Sequence, residues 1–165
     1  MTMAILGSAV FFVAVPSVVA GLIPWWITGW EFLPPFFGLQ LTRAVGILLI
    51  VGSLPGLIDS FARFALQGRG TPAPIAPTQI LVVTGLYRYK RNPMYVAVVA
   101  VIVGQAILFG DLRLMTYGGF MWLAFHAFVL IYEEPVLAER FGTKYEDFRA
   151  NVPRWIPRLS PWRTV

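Results

Sequence analysis

The sequence predicts an all-α integral membrane protein with about four transmembrane helices, a long cytoplasmic loop and a C-terminal interfacial amphipathic helix. Hydrophobic residues make up 58% of the chain and charged residues only 13%, proportions that soluble domains do not have. Apolar segments recur at close to the length of about 20 residues that one bilayer crossing requires. The charged residues gather between and after these segments, so lipid is the expected solvent.

Four apolar segments are the predicted spans: residues 3–23, 41–65, 94–109 and 114–132. The first is longer than the roughly 7–15 residues of a signal-peptide core, so we expect a retained helix. Pro16 should loosen that helix where neighbouring groups can bond the freed carbonyl. Residues 21–38 are rich in Pro, Gly and aromatic side chains, which predicts a compact outer loop. The four residues 110–113 leave room only for a tight antiparallel hairpin.

The basic residues predict the orientation of the chain. With four spans, only Arg43 and Arg113 lie on one side, and the other Lys and Arg residues lie on the opposite side. The positive-inside rule then places both termini in the cytoplasm. Trp25, Trp26 and Trp30 would form an outer interfacial belt. We expect one domain over residues 1–165, located in a bacterial cell membrane, with cytoplasmic segments 67–93 and 133–158.

The two cytoplasmic segments carry different local signals. Hydrophobic periodicity stops between residues 67 and 93, where Gly and Pro favour an extended loop of a length that points to function. Asn92 and Pro93 form a good helix N-terminus, so the third span should begin there. Pro135 disfavours helix at Glu134, which predicts a bend as the chain leaves the membrane.

An apolar stripe at helical spacing follows this bend and predicts one amphipathic helix at the membrane surface. Its members are Leu137, Phe141, Tyr145, Phe148 and Val152. We expect this helix to cover the cytoplasmic loop and its aromatic residues to contact the membrane.

Several classes of site are excluded or disfavoured by composition. The chain has no cysteine, so it cannot form a disulfide, a thiolate nucleophile or a cysteine-ligated metal site. Its net charge of +5 does not come from a basic run interleaved with base-stacking aromatics, so we expect no nucleic-acid partner. The predicted chemistry requires no metal, and the oligomeric state is left open.

Three motifs follow one another in the predicted cytoplasmic segments. They are Gly85-Leu86-Tyr87-Arg88-Tyr89-Lys90-Arg91-Asn92-Pro93-Met94-Tyr95, then Glu133-Glu134, then Phe141-Gly142-Thr143-Lys144-Tyr145 with Val152-Pro153-Arg154. In this order and at these separations they resemble the isoprenylcysteine carboxyl methyltransferase and phospholipid methyltransferase superfamily. The resemblance extends from Gln79 to Arg158, whereas the first two spans match only in hydrophobic character. It implies an S-adenosyl-L-methionine-dependent membrane methyltransferase whose partners are membrane lipids and a lipophilic small-molecule or lipid substrate.

The resemblance also implies which residues contact S-adenosyl-L-methionine. These are Gln79, Ile80, Leu81, Val82, Tyr87, Asn92, Pro93, Met94, Tyr95 and Glu133. Arg91 is a further candidate, for the cofactor carboxylate, although a basic cluster at a cytoplasmic helix start also serves as a lipid anchor. Glu133 would pair with the cofactor ammonium; the alternative is a solvated helix end.

Three positions depart from the family pattern. Asn92 stands where the family usually has His, and an amide can donate and accept hydrogen bonds but cannot titrate. Ala97 replaces a common Gly. Val129 stands where carboxyl-methylating members have Arg, which disfavours a carboxylate acceptor. A phospholipid amine, a phenol, a thiol and a prenylated compound all remain open as acceptors.

The single histidine, His126, lies seven residues before Glu133 in the predicted fourth span. Seven residues are nearly two helical turns, so we expect both side chains on one face, roughly 10 Å apart. Ionisable residues inside a membrane are functional candidates, so we predict that His126 is the general base, with Tyr95 next and Glu133 as the third catalytic residue. The alternative is a neutral histidine that joins two helices by a hydrogen bond.

Two other functions stay open at this point. Membrane reductases of the sterol type share a similar C-terminal arrangement but use NADPH, and binding of NADPH would identify them. A non-enzymatic scaffold or transport subunit would bind no nucleotide-like cofactor.

Overall fold

The computed structural model describes residues 14–66 and 80–163, and their regular structure is entirely helical. The helices in these ranges are α1 (Ala14–Thr28), α2 (Leu41–Leu66), α3 (Pro93–Phe109), α4 (Leu112–Phe128), α5 (Glu134–Phe141) and α6 (Thr143–Asn151). Short 3-10 turns occupy Phe36–Gly38 and Gly85–Arg88. The predicted all-α class is therefore confirmed, while residues 3–13 of the predicted first span and residues 67–79 of the predicted loop lie outside the described ranges.

Two helical segments are long and apolar enough to cross a membrane. They are Leu41–Arg63 and the continuous stretch Leu112–Phe141. Only 11% and 17% of their most apolar windows are buried within the protein, whereas a core helix of a soluble protein would be mostly buried. The exposed apolar surface of these helices indicates a membrane protein. Helices α1 and α3 are apolar but shorter.

Helices α2 and α3 pack closely because glycines meet at their crossing. A Cβ atom at Gly46 would lie 2.6 Å from the Gly104 carbonyl oxygen and 2.6 Å from the Leu108 nitrogen. Toward the other end of the pair, Leu57 and Phe61 pack with buried residues at the start of α3. The two helices are therefore antiparallel, and small residues allow the close backbone approach that is typical of membrane helices.

Helix α1 extends to Thr28, beyond the predicted end at residue 23, so the first part of the expected outer loop is helical. A π-turn at Val18–Leu22 interrupts it just before Pro24. Pro24 has no N–H to donate to the Ala20 carbonyl, four residues back. The Gln105 side-chain amide donates to that carbonyl instead, at 2.6 Å, so a neighbouring side chain bonds the carbonyl that this proline leaves free.

The hairpin between α3 and α4 is even tighter than the sequence predicts. Only Gly110 and Asp111 separate the two helices, and Gly110 has the left-handed φ of 72°. Asp111 caps α4 by accepting from the Arg113 backbone N–H at 2.8 Å. The Arg113 guanidinium, hydrogen-bonded to the same carboxylate, holds the pKa of Asp111 below its usual range.

The expected bend at Pro135 is wrong. The backbone continues from α4 through a π-turn at Val129–Glu133 into α5, and Glu134 has the helical φ and ψ of −63° and −44°. In that turn the Glu134 N–H bonds to the Val129 carbonyl, five residues back. Pro135 is accommodated in the first turn of α5, where its missing N–H costs little.

The predicted single amphipathic helix is two helices, because Gly142 breaks it with φ 52° and ψ −129°. The apolar stripe faces the protein, with Tyr145, Phe148 and Val152 almost fully buried. They pack against Leu81 and Val83 of the loop that precedes α3. The stripe therefore covers Leu81 and Val83, and the expected membrane contact of the stripe is wrong.

Candidate active site

The start of α3, the π-turn before α5 and the C-terminal segment meet at one end of the helices. The backbone N–H of Arg91 donates to the Pro153 carbonyl at 2.9 Å. Farther along, Arg158 donates to the Tyr89 carbonyl, also at 2.9 Å. The segment after α6 therefore lies along residues 88–91 and brings the three sequence motifs together.

Glu134 joins those motifs through a buried ion-pair network. Arg154 donates from Nε and Nη2 to the two Glu134 oxygens at 2.6 and 3.0 Å. Arg91 Nη1 lies 3.0 Å from Glu134 Oε1 and donates to the Tyr145 hydroxyl at 3.1 Å. Burial raises the pKa of Tyr145 to about 12, so its hydroxyl stays protonated. A carboxylate with this many donors holds the segments together.

Glu133, the adjacent residue, has a different environment. The Tyr95 hydroxyl donates to Glu133 Oε2 at 2.9 Å, and the Tyr95 ring packs on Phe125 with centroids 4.8 Å apart. Among the described residues this is the one side-chain hydrogen bond to the Glu133 carboxylate. Its second oxygen is therefore available to a ligand.

An apolar cavity of about 400 Å³ leads to Tyr95. It lies between α1, α3 and α4, and Phe61 of α2 contributes to its wall. Its lining residues are Val15, Pro16, Val19, Phe61, Met94, Tyr95, Val98, Ala124, Phe125 and Phe128. The Tyr95 hydroxyl is the only N–H or O–H donor among those side chains, so the cavity suits a hydrocarbon chain with one polar end near Tyr95.

Four of the predicted cofactor contacts lie at the start of α3: Asn92, Pro93, Met94 and Tyr95. Asn92, Pro93 and Met94 are buried, and α3 begins at Pro93 as predicted. Asn92 occupies the N-cap position, yet its side chain makes no cap bond and instead donates to the Arg154 carbonyl at 3.3 Å. The first N–H groups of α3 are thus left without a side-chain cap.

The remaining predicted contacts are spread over the loop. Val82 is buried, Leu81 packs beside α6, and Ile80 is exposed. Tyr87 is buried and hydrogen-bonded to Ser60 of α2, and this burial raises the pKa of Tyr87. Gln79 lies outside the described residues.

His126 does not share a face with Glu133, contrary to expectation. Its Nδ1 accepts a hydrogen bond from Trp155 Nε1 at 3.0 Å, and its ring stacks on Trp122. The π-turn inserts extra backbone between the two positions. Glu133 and Phe125 both contact Tyr95, so Glu133 shares a helix face with Phe125 instead. The catalytic role of His126 stays a prediction.

Two residues of this region, Arg154 and Trp155, were not among the predicted catalytic or cofactor-binding residues. Arg154 and Trp155 directly follow the Val152-Pro153 pair, and each bonds a residue far away in the chain, Glu134 and His126 respectively. The motif around Val152 was the available signal for Arg154. Trp155 lies just outside that motif, and the sequence pattern indicated only a place in an inner interfacial belt.

Residues 41–144 match the phospholipid methyltransferase family. The chain belongs to this family. Family membership confirms the resemblance to membrane methyltransferases and does not favour the NADPH reductase alternative. No solved structure matches the chain.

Two curated relatives agree with this assignment. Protein-S-isoprenylcysteine O-methyltransferase of Schizosaccharomyces pombe (strain 972 / ATCC 24843) is 33% identical over 81 residues, 48% of this chain and 34% of that protein. The protein of the same name in Dictyostelium discoideum is 24% identical over 150 residues, 87% of this chain and 60% of that protein. The chain therefore spans less than two thirds of the length of either relative.

Proposed function

We propose that the protein transfers a methyl group from S-adenosyl-L-methionine to a lipophilic acceptor that enters from the membrane. The observation that carries this proposal is the Tyr95–Glu133 hydrogen bond at the end of an apolar cavity, in a chain of the phospholipid methyltransferase family. An acceptor with a hydrocarbon tail would fill the cavity and bring its polar end to Tyr95.

The residues present fit the cofactor. The second oxygen of Glu133 suits an ammonium, because an acid with one donor partner can accept another charge-assisted bond. The uncapped N–H groups at the start of α3 suit a carboxylate. The backbone of Leu81 and Val82 is the proposed contact for adenine. S-adenosyl-L-methionine, when bound, supplies an electrophilic methyl group on a sulfonium.

The chain itself contributes alignment and proton control. Apolar walls exclude water, so the acceptor would be held in one orientation in a dry site, and alignment of this kind is a large share of catalysis. The Glu133 carboxylate accepts from Tyr95 and so fixes the direction of that hydroxyl. Val129, four residues before Glu133, is buried and carries no charge, which favours an amine, phenol or thiol acceptor over a carboxylate.

The proposed topology places this site at the cytoplasmic boundary. Helices α1 to α4 would cross the membrane in alternating directions, and one domain would include the cofactor segments 67–93 and 133–158. The excess of basic residues on that side supports the orientation.

Ligand-dependent stability of the purified protein tests the cofactor. We expect S-adenosylmethionine and S-adenosylhomocysteine to raise the melting temperature and NADPH to leave it unchanged. Glu133→Gln should weaken binding of S-adenosylmethionine by roughly tenfold to a hundredfold, since a hydrogen bond to a charged group is worth about 1.5–3 kcal/mol. Glu139→Gln is the matched control, because Glu139 is exposed on α5.

Methyl transfer itself is measured by incubating the protein with methyl-labelled S-adenosylmethionine and a membrane lipid extract, then analysing the lipids by mass spectrometry. Label should enter a lipid or lipophilic compound with the parent protein, and much less of it with Glu133→Gln at the same cofactor concentration. Stabilisation by NADPH alone, or equal cofactor affinity of the two Glu variants, would overturn the proposal.

A further inference from the structure

A second groove lies on the other side of α2 from the apolar cavity. It has a volume of about 610 Å³ and runs between α2 and the 3-10 turn at Gly85–Arg88. No residue lines both spaces. Phe61 of α2 faces the cavity, whereas Asp59 and Arg63 face this groove. The groove is therefore separate from the apolar cavity.

The two ends of the groove differ in chemistry. Asp59, Arg63 and Arg88 line one end, and Gly52 and Gly56 line the other. The distance along α2 from Gly52 to Arg63 is about 16 Å, at 1.5 Å per residue. That is close to half of the roughly 30 Å hydrocarbon core, which is the length available to an acyl chain in one leaflet.

The charged end carries one cation in excess. Arg63 is paired with Asp59 at 2.8 Å. Arg88 has no acidic partner in the described ranges, and its Nε donates to the Trp162 carbonyl at 2.7 Å. Its remaining guanidinium N–H groups are thus free to bond an anion, and Arg favours phosphate because it offers several donors in one plane.

The apolar end is open because glycine lacks a side chain. A Cβ atom built on Gly52 meets nothing within 4 Å, while one on Gly56 comes 3.3 Å from the Leu86 side chain. The neighbouring exposed side chains of α2, Val51 and Leu54, are apolar. A hydrocarbon chain could therefore lie along the helix over Gly52.

We propose that this groove binds one anionic phospholipid, with its phosphate at Arg88 and an acyl chain along Gly52. The proposal uses the cytoplasmic orientation of the proposed function only to name the leaflet, where anionic lipids concentrate. The lipid would hold the turn at Gly85–Arg88 against α2, in addition to the hydrogen bond that the Leu86 backbone donates to Asp59.

The test uses the full chain in nanodiscs of phosphatidylcholine with or without phosphatidylglycerol, and no cofactor or methyl acceptor. Its outcome is therefore independent of the proposed enzyme activity. Phosphatidylglycerol should raise the melting temperature of the parent and co-purify with it. Arg88→Gln should weaken the retention of phosphatidylglycerol by about tenfold or more, because the variant loses one hydrogen bond to a charged group. Gly52→Leu, which fills open space, should block retention without unfolding the protein.

Arg140→Gln is the control, since Arg140 is an exposed residue of α5, and it should bind phosphatidylglycerol like the parent. Equal retention by Gly52→Leu and the parent would overturn the proposal, even if Arg88→Gln does not fold. A rise in melting temperature with inorganic phosphate alone would show a free-anion site, and a dimer that excludes lipid from the groove would show a protein interface. Either result would also overturn it.

Discussion

At the scale of single residues, two adjacent acids have opposite environments. Glu134 is bonded by Arg91 and Arg154, whereas Glu133 is bonded by Tyr95 at the end of the apolar cavity. The sequence predicted that this pair matters but could not tell the two apart. Neighbouring helical positions point about 100° apart, and which of them meets the arginines depends on the fold of a segment 20 residues away.

The contacts of His126 likewise depend on a distant segment of the chain. Its Nδ1 accepts from Trp155, so this nitrogen has a lone pair and carries no proton in the bonded form. These contacts favour the alternative in which a neutral histidine joins two segments, here α4 and the C-terminal segment. Tyr95 is then the next candidate for the proposed general base.

We therefore expect His126→Gln and Trp155→Phe to behave alike. Each removes one hydrogen bond, so each should reduce the free energy of unfolding by about 1 kcal/mol and leave the pH profile of turnover unchanged. Denaturation in detergent and rate measurements across pH check this. Loss of a pH inflection in His126→Gln alone, with Trp155→Phe like the parent, would instead show that His126 is the general base.

At the scale of helices, the sequence predicted where α3 begins and where its hairpin with α4 lies, but it did not predict the π-turn between α4 and α5. The start of α3 at Pro93 and the tight hairpin at residues 110–113 follow from proline and glycine chemistry and are confirmed. The π-turn at Val129–Glu133 was missed. Its sequence is apolar and helical in character, and the wider turn depends on packing partners that periodicity alone does not reveal.

The contact between α2 and α3 leads to a prediction about two glycines of one helix. Gly46→Ala should destabilise the protein by about 1–3 kcal/mol, the usual cost of overpacking, because its Cβ would meet backbone atoms of α3. Gly52→Ala should be neutral or stabilising by up to about 1 kcal/mol, since alanine is the better helix former and open space surrounds it. Melting temperatures in detergent compare the two variants, and equal destabilisation would contradict the close crossing.

At the scale of the whole molecule, function depends on how many helices cross the membrane. The class of the protein was predictable because apolar composition dominates the chain. The number of membrane crossings is harder to predict. Helix α3 has 17 residues and a length of about 25 Å, which is less than the roughly 30 Å hydrocarbon core. Antiparallel packing on α2 supports a crossing, since α2 is of full spanning length.

Single-cysteine labelling decides the topology, and the parent chain is already free of cysteine. Gln40 precedes α2, Leu112 begins α4, and Arg140 lies near the end of α5; all three are exposed. If α2, α3 and α4 all cross, three crossings separate Gln40 from Arg140 and two separate Gln40 from Leu112. A membrane-impermeant maleimide added to intact cells should therefore label Gln40→Cys and Leu112→Cys but not Arg140→Cys, and inside-out vesicles should give the reverse. If α3 does not cross, Gln40→Cys and Arg140→Cys will be labelled from the same side, because only α2 and α4 then separate them.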